Sequence, residues 1–159
     1  MSGNELESLY QDLILDHAKH PHGYGLIDGE GPATESHQRN PVCGDEITLR
    51  VHMDSGDTIR DLTWEGSGCS ISQASASMLS SLVDAHDRFR HPGSGRMPRT
   101  EASALVEAFR EALRSRGTIP LDEERFGDAA ALSGVSRYTA RVKCAMLAWV
   151  ALENALTRV

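Results

Sequence analysis

The sequence has no continuous apolar run of the roughly 18–20 residues that a bilayer-spanning helix needs. Its first residues, MSGNELESLYQDLILDH, lack the basic segment and unbroken apolar stretch of a secretion signal. Both absences argue against a membrane role and predict a cytoplasmic protein. A cationic excess is also missing: 16 Lys and Arg stand against 23 Asp and Glu, a formal net charge of −7. Nucleic-acid binding depends on neutralising phosphates with Lys and Arg, so no nucleic-acid partner is predicted and the charge is read as solubility. Three cysteines are an odd number, which excludes a complete disulfide framework, and a reducing compartment disfavours disulfides in any case. There is no C-x-x-C pair, no internal repeat and no low-complexity segment.

What is present fits one domain over residues 1–159, with 40% hydrophobic and 25% charged residues. A chain of this length buries about 68–70% of its unfolded surface and needs no staples. Leu6, Leu9, Tyr10, Leu13, Ile14 and His17 form one stripe at helical spacing, ended by Pro21, Gly23 and Gly25. A short strand is read at Thr34–Arg39. Ile47, Leu49, Val51 and Met53 alternate with Thr48, Arg50 and His52 as a strand with one buried face. Asp54-Ser55-Gly56-Asp57 has hairpin-turn chemistry, and the return strand is placed at about Thr58–Glu65. Ile59 is out of phase with Leu62 and Trp64, which predicts a bulge near Arg60–Asp61.

Gly66-Ser67-Gly68-Cys69 breaks that strand, and Ser70 with Gln73 matches a capping box opening a helix to about Ala85. Residues 87–99, with four arginines, read as a solvated loop or a docking surface for an acidic partner. A helix follows over about Glu101–Ser115, then loop-like residues 117–136, then a long last helix from near Tyr138. Helix, strands, then helices predict an α+β fold: a small antiparallel sheet of about three strands with helices on one face and a long C-terminal helix. Trp64 and Trp149 are read as core anchors. His17, His20 and His22 are read as caps of the first helix, and His37, His52, His86 and His91 as isolated and exposed.

The cysteines sit in distinctive places. Gly44 lets the chain fold between Cys43 and Asp45, an i, i+2 pair able to aim a thiolate and a carboxylate at one point. Cys69 precedes a helix, whose N-terminus favours a thiolate. Cys144 lies early in the last helix beside Arg141 and Lys143, and cationic neighbours also lower a thiol pKa. Three thiolates and one carboxylate would suit tetrahedral zinc. A scattered cysteine is ordinarily a small apolar filler, however, and spacing alone leaves both readings open.

Four motifs together resemble the U-type iron–sulfur cluster assembly family. They are Leu9-Tyr10-Gln11-Asp12-Leu13-Ile14-Leu15-Asp16-His17 with His20-Pro21, Asn40-Pro41-Val42-Cys43-Gly44-Asp45, Gly66-Ser67-Gly68-Cys69-Ser70-Ile71-Ser72, and Arg141-Val142-Lys143-Cys144-Ala145-Met146-Leu147-Ala148-Trp149. The chain is most similar to the SufU-type branch. Lys143 stands where the ISC scaffold branch has histidine, and the long stretch between Cys69 and Cys144 leaves room for an inserted loop–helix segment of about 87–136.

The resemblance implies a zinc held by Cys43, Asp45, Cys69 and Cys144. It implies a zinc-dependent sulfurtransferase that accepts persulfide sulfur from a SUF-type cysteine desulfurase and passes it to downstream SUF assembly proteins. A histidine of the desulfurase would replace Cys43 on the zinc, freeing Cys43 as acceptor, with Arg141 orienting the persulfide. The alternatives within the family are a scaffold on which an iron–sulfur cluster is built, and a zinc-stabilised adaptor that only binds the desulfurase.

Overall fold

The computed structural model describes residues 3–28, 32–42, 44–54, 56–85 and 97–158, the first five of these by backbone alone. Strands β1 (Ala33–Arg39), β2 (Glu46–Met53), β3 (Thr58–Ser67) and β4 (Met97–Pro98) form an antiparallel sheet in the order β1-β2-β3-β4. The alternation in β2 delivers Ile47, Leu49 and Val51 to the core with no exposed surface. Between β2 and β3 the register runs His52 to Asp61 and then Met53 to Ile59, so Arg60 is the extra residue. That bulge, where the phase break predicted it, turns Ile59 and Leu62 toward the same core although they are three apart.

The sheet has four strands rather than about three. The fourth is a two-residue edge piece in which Met97, buried, pairs with Ile59. Two residues beside an arginine-rich stretch carry no alternation that could announce a strand.

Helix α5 (Thr139–Thr157) lies over β1 and β2, and α2 (Ser70–Ala85) lies over β3 and against α5. Helix α1 (Gly3–Lys19) packs on α2, and α3 (Arg99–Arg114) on α5. The aromatic anchors behave as expected: Trp64 and Trp149 are fully buried, and Trp149 stacks on Phe109 at 3.8 Å. Serines of α2 pin the layers together. Ser75 donates to the Ala145 carbonyl and accepts from Trp149 Nε1, and Ser80 donates to the Leu62 carbonyl.

Four expectations change. Residues 117–136 are a loop only as far as residue 122: α4 (Glu123–Phe126) then leads into a 3₁₀ helix over Gly127–Arg137, with Ala129, Ala130, Ala131 and Leu132 buried. Small residues on a three-residue repeat give no 3.6-residue apolar stripe to read. His17 is not a helix-end cap but a buried bridge, within 2.7 Å of Ser77 Oγ on α2 and 2.9 Å of Asp128 Oδ2. His52 is buried rather than exposed, on the sheet face that residues 26–28 cross: Ile27 N–H donates to Thr63 Oγ1 and Arg50 donates to the Ile27 carbonyl. Arg99 is not in a solvated loop; it opens α3 and ties Asp57 to the Leu156 carbonyl. His86, His91 and residues 87–96 of the arginine-rich segment lie outside the described residues.

Candidate metal centre

Antiparallel register gathers the site. Arg39 pairs with Glu46, and Glu46 pairs with Ser67. The turn after β1, the start of β2 and the end of β3 therefore emerge together at one end of the sheet. Asn40, largely buried, closes the turn: its N–H donates to the Asp45 carbonyl, its carbonyl accepts from Gly44 N–H, and its Oδ1 accepts from Val42 N–H. Gly44 has φ +77, in the left-handed region that favours glycine. Cys43, the predicted acceptor and ligand, lies outside the described residues.

Opposite the turn, Gly68 has φ +153, and a Cβ there would stand 2.6 Å from Asp45 Cγ and Oδ1. The missing side chain lets the Asp45 carboxylate approach the start of α2. Its Oδ1 accepts from Cys69 N–H at 3.1 Å, and the Cys69 thiol donates to Oδ2 at 3.2 Å. The helix opens one residue earlier than the capping-box reading implied. Cys69 precedes its first residue, its carbonyl accepts from Gln73 N–H and from the Ser72 hydroxyl, and Ser72 Oγ lies 3.9 Å from the Cys69 sulfur.

Cys144 comes from the second turn of α5 and is 4% exposed, as is Asp45; Cys69 is half-buried. One ligand atom from each of Asp45, Cys69 and Cys144 lies within 4.8 Å of the others. Zinc–sulfur bonds of about 2.3 Å and zinc–oxygen bonds of about 2.0–2.2 Å set tetrahedral edges of roughly 3.5–3.8 Å. The donor set fits zinc with little movement, and its soft sulfurs favour zinc or an iron–sulfur cluster over a hard cation.

Beside this cluster runs a groove of about 780 Å³. Cys69 and Arg141 line it, with Tyr10 and Ile14 of α1, and Arg137 and Tyr138 where the 3₁₀ helix meets α5. Arg141 is exposed and sits one helical turn before Cys144. The Tyr10 hydroxyl donates to Glu123 at 2.8 Å. Partial burial, then that hydrogen bond and the carboxylate's charge, raise its pKa above the usual phenol value. The sequence reading missed Gly68 and Ser72 as shapers of the site, although both stand in a quoted motif. It missed the groove because part of its wall, Ala131, Gly134 and Val135, comes from the segment read as loop.

A four-stranded antiparallel meander under helices, with a carboxylate and two thiols converging at one sheet end, defines an α+β domain with a candidate metal centre. Residues 9–145 match the model of the NifU-like N terminal domain. An iron–sulfur cluster assembly scaffold protein IscU from Streptococcus pyogenes serotype M1 is 37% identical over 159 residues, covering 99% of this chain and 89% of that protein. The zinc-dependent sulfurtransferase SufU of Bacillus subtilis (strain 168) is 35% identical over 153 residues, 96% of this chain and 92% of that one. The crystal structure of a putative scaffold protein for the SUF system from Fervidobacterium islandicum AW-1 is 30% identical with a TM-score of 0.70, covering 94% of this chain and 98% of that one. The chain belongs to the U-type, NifU-N-terminal-like family of iron–sulfur cluster assembly proteins, as its motifs implied.

Proposed function

We propose that this protein is a zinc-dependent sulfurtransferase of iron–sulfur cluster assembly. It takes persulfide sulfur from a SUF-type cysteine desulfurase and hands it to downstream SUF assembly proteins. The observation that carries the reading is the convergence of Asp45, Cys69 and Cys144, mostly buried and beside a groove open to a partner. The zinc-dependent activity named for the Bacillus subtilis relative supports it. In this reading Cys43, two residues before Asp45 in the sequence, completes the ligand set.

Bound zinc supplies no redox chemistry and holds its sulfurs as thiolates. Cys43 adjoins Gly44 in the sequence, whereas Cys69 and Cys144 belong to the start of α2 and to α5, so Cys43 would be the ligand free to leave. Its thiolate attacks the outer sulfur of the donor's persulfide. The donor's S–S bond breaks, a new S–S bond forms on Cys43, and the donor cysteine departs as a thiolate, with no net change of oxidation state. Arg141 supplies positive charge to hold the persulfide anion. In this reading the stretch of about 87–136 is an insertion between the second and third cysteines, and it furnishes part of the groove wall.

Adding the protein to a working desulfurase should raise sulfide release and leave a persulfide on the Cys43 peptide by mass spectrometry. Cys43→Ala and Asp45→Ala should not stimulate; stimulation by both at the wild-type level sinks the relay.

A second reading is favoured by the scaffold descriptions of the Streptococcus and Fervidobacterium relatives. The same thiolates can hold a two-iron two-sulfur cluster. Anaerobic reconstitution with iron and sulfide separates the two. A stable, transferable cluster supports the scaffold, and zinc that iron does not displace supports the relay.

A further inference from the structure

We infer that the groove bounded by α1, the 3₁₀ helix and the start of α5 seats an extended acidic–apolar segment of the sulfur-donor protein, delivering it to the metal centre. The inference rests on the relay reading above and adds where the donor is held and by what chemistry.

The groove's floor is apolar: Ile14, Ile71 and Val135 line it. Its charged side chains are Arg137 and Arg141, both exposed, and no acidic side chain stands among the described residues that line it. On a chain of net charge −7 this is a local reversal of sign. Such a reversal selects anionic partners and steers their approach. Two carboxylates touch the lining residues: Glu123 is engaged by the Tyr10 hydroxyl, and Asp45, buried, by Cys69 within the metal centre.

The volume alone, 780 Å³, also suits a small molecule. The shape does not. Small-molecule sites enclose about 70–90% of the ligand surface, whereas this groove opens to solvent and Tyr138, which lines it, is 65% exposed. A second exposed apolar side chain, Val42 at 85%, stands on the turn of the metal centre itself. Exposed apolar side chains rimmed by charge are the mark of a protein-docking surface. An extended segment shields its own outer side with the protein that carries it. Carboxylates on that segment would meet the two guanidiniums, and an apolar residue between them would cover Ile14, Ile71 and Val135. Since Cys69 lines the same groove, a segment lying there ends at the sulfur-accepting site.

The test is the affinity of the zinc-loaded full chain for its cognate cysteine desulfurase, measured by calorimetry at low and moderate salt. Arg137→Glu and Tyr138→Ser should each weaken binding at least about tenfold with unchanged zinc content, and Arg137→Glu should flatten the salt dependence. Arg114→Glu, exposed on α3 and outside the groove, should bind within about twofold of wild type. Both groove variants binding within about twofold of wild type overturns the inference while leaving the relay standing. So does saturation of the groove by free cysteine, seen in the Ile14 and Val135 methyl resonances, with no loss of desulfurase affinity. A wild-type protein that does not bind the desulfurase overturns the relay reading itself, and this inference with it.

Discussion

Replacing Gly68 by alanine adds one methyl group at the tightest point of the site. Its Cβ would lie 2.6 Å from Asp45 Cγ and Oδ1 and 2.8 Å from Ser72 Oγ, whereas ordinary contact begins at 3.4 Å. The carboxylate has to retreat by the difference between 2.6 and 3.4 Å, 0.8 Å. That retreat breaks its bonds to Cys69 N–H and to the Cys69 thiol. A hydrogen bond to a charged group contributes about 1.5–3 kcal/mol. Holding a non-glycine residue at φ +153 adds about 1–3 kcal/mol. The two bonds and the strain sum to about 4–9 kcal/mol before the site relaxes, a large share of a typical domain's stability. Zinc suffers as well, because ligand positions tolerate about 0.2 Å; affinity should fall about 10–100-fold. The assay is urea unfolding with chelator present, paired with competitive zinc titration. Gly134→Ala is the control, since a Cβ there meets nothing within 4 Å. A Gly68→Ala protein within about 0.5 kcal/mol and threefold in zinc affinity of wild type would refute the argument.

His17→Ala removes the bridge from α1 to Ser77 and Asp128 and opens a buried gap, so urea unfolding should show a loss of about 2–3 kcal/mol; a change below about 0.5 kcal/mol would contradict it. Glu153 of α5 accepts two bonds from Arg110 of α3, at 2.8 and 2.9 Å, and these bonds, aided by the guanidinium's charge, hold its carboxyl below the ordinary value. A depressed folded pKa means the pair's stabilisation is present above the ordinary carboxylate pKa and is lost as pH falls through the folded one. The stability gap between wild type and Glu153→Gln should accordingly close as the pH falls below the ordinary carboxylate value, and parallel pH profiles would contradict the assignment.

Where side-chain periodicity decides an element, the sequence announced it. The β2 alternation and the phase break at Ile59 survive in the structure, as does the α1 stripe at Tyr10, Leu13, Ile14 and His17, although Leu9 is 47% exposed. Periodicity fails where packing uses small or lone residues. Ala129, Ala130 and Ala131 are buried by close approach in a 3₁₀ helix, and Met97 enters the sheet within two residues. His17 and His52 look polar in sequence, and only tertiary neighbours reveal their burial. The site divides the same way. Gly44 between Cys43 and Asp45 could be read locally, but nothing local brings Cys144 to Cys69 or explains why position 68 must lack a side chain. The motif resemblance supplied the grouping; the register of β1, β2 and β3 brings Asp45 to Cys69, and the packing of α5 on α2 and the sheet brings Cys144.

The most direct measurement is elemental analysis of carefully handled wild-type protein beside Asp45→Ala and Cys144→Ala. About one zinc per chain in wild type, with loss of metal and of thermal stability in both variants, is the expected result, since a structural site contributes folding free energy. Wild-type protein with near-zero metal, or variants that keep zinc at the wild-type level, would contradict the account.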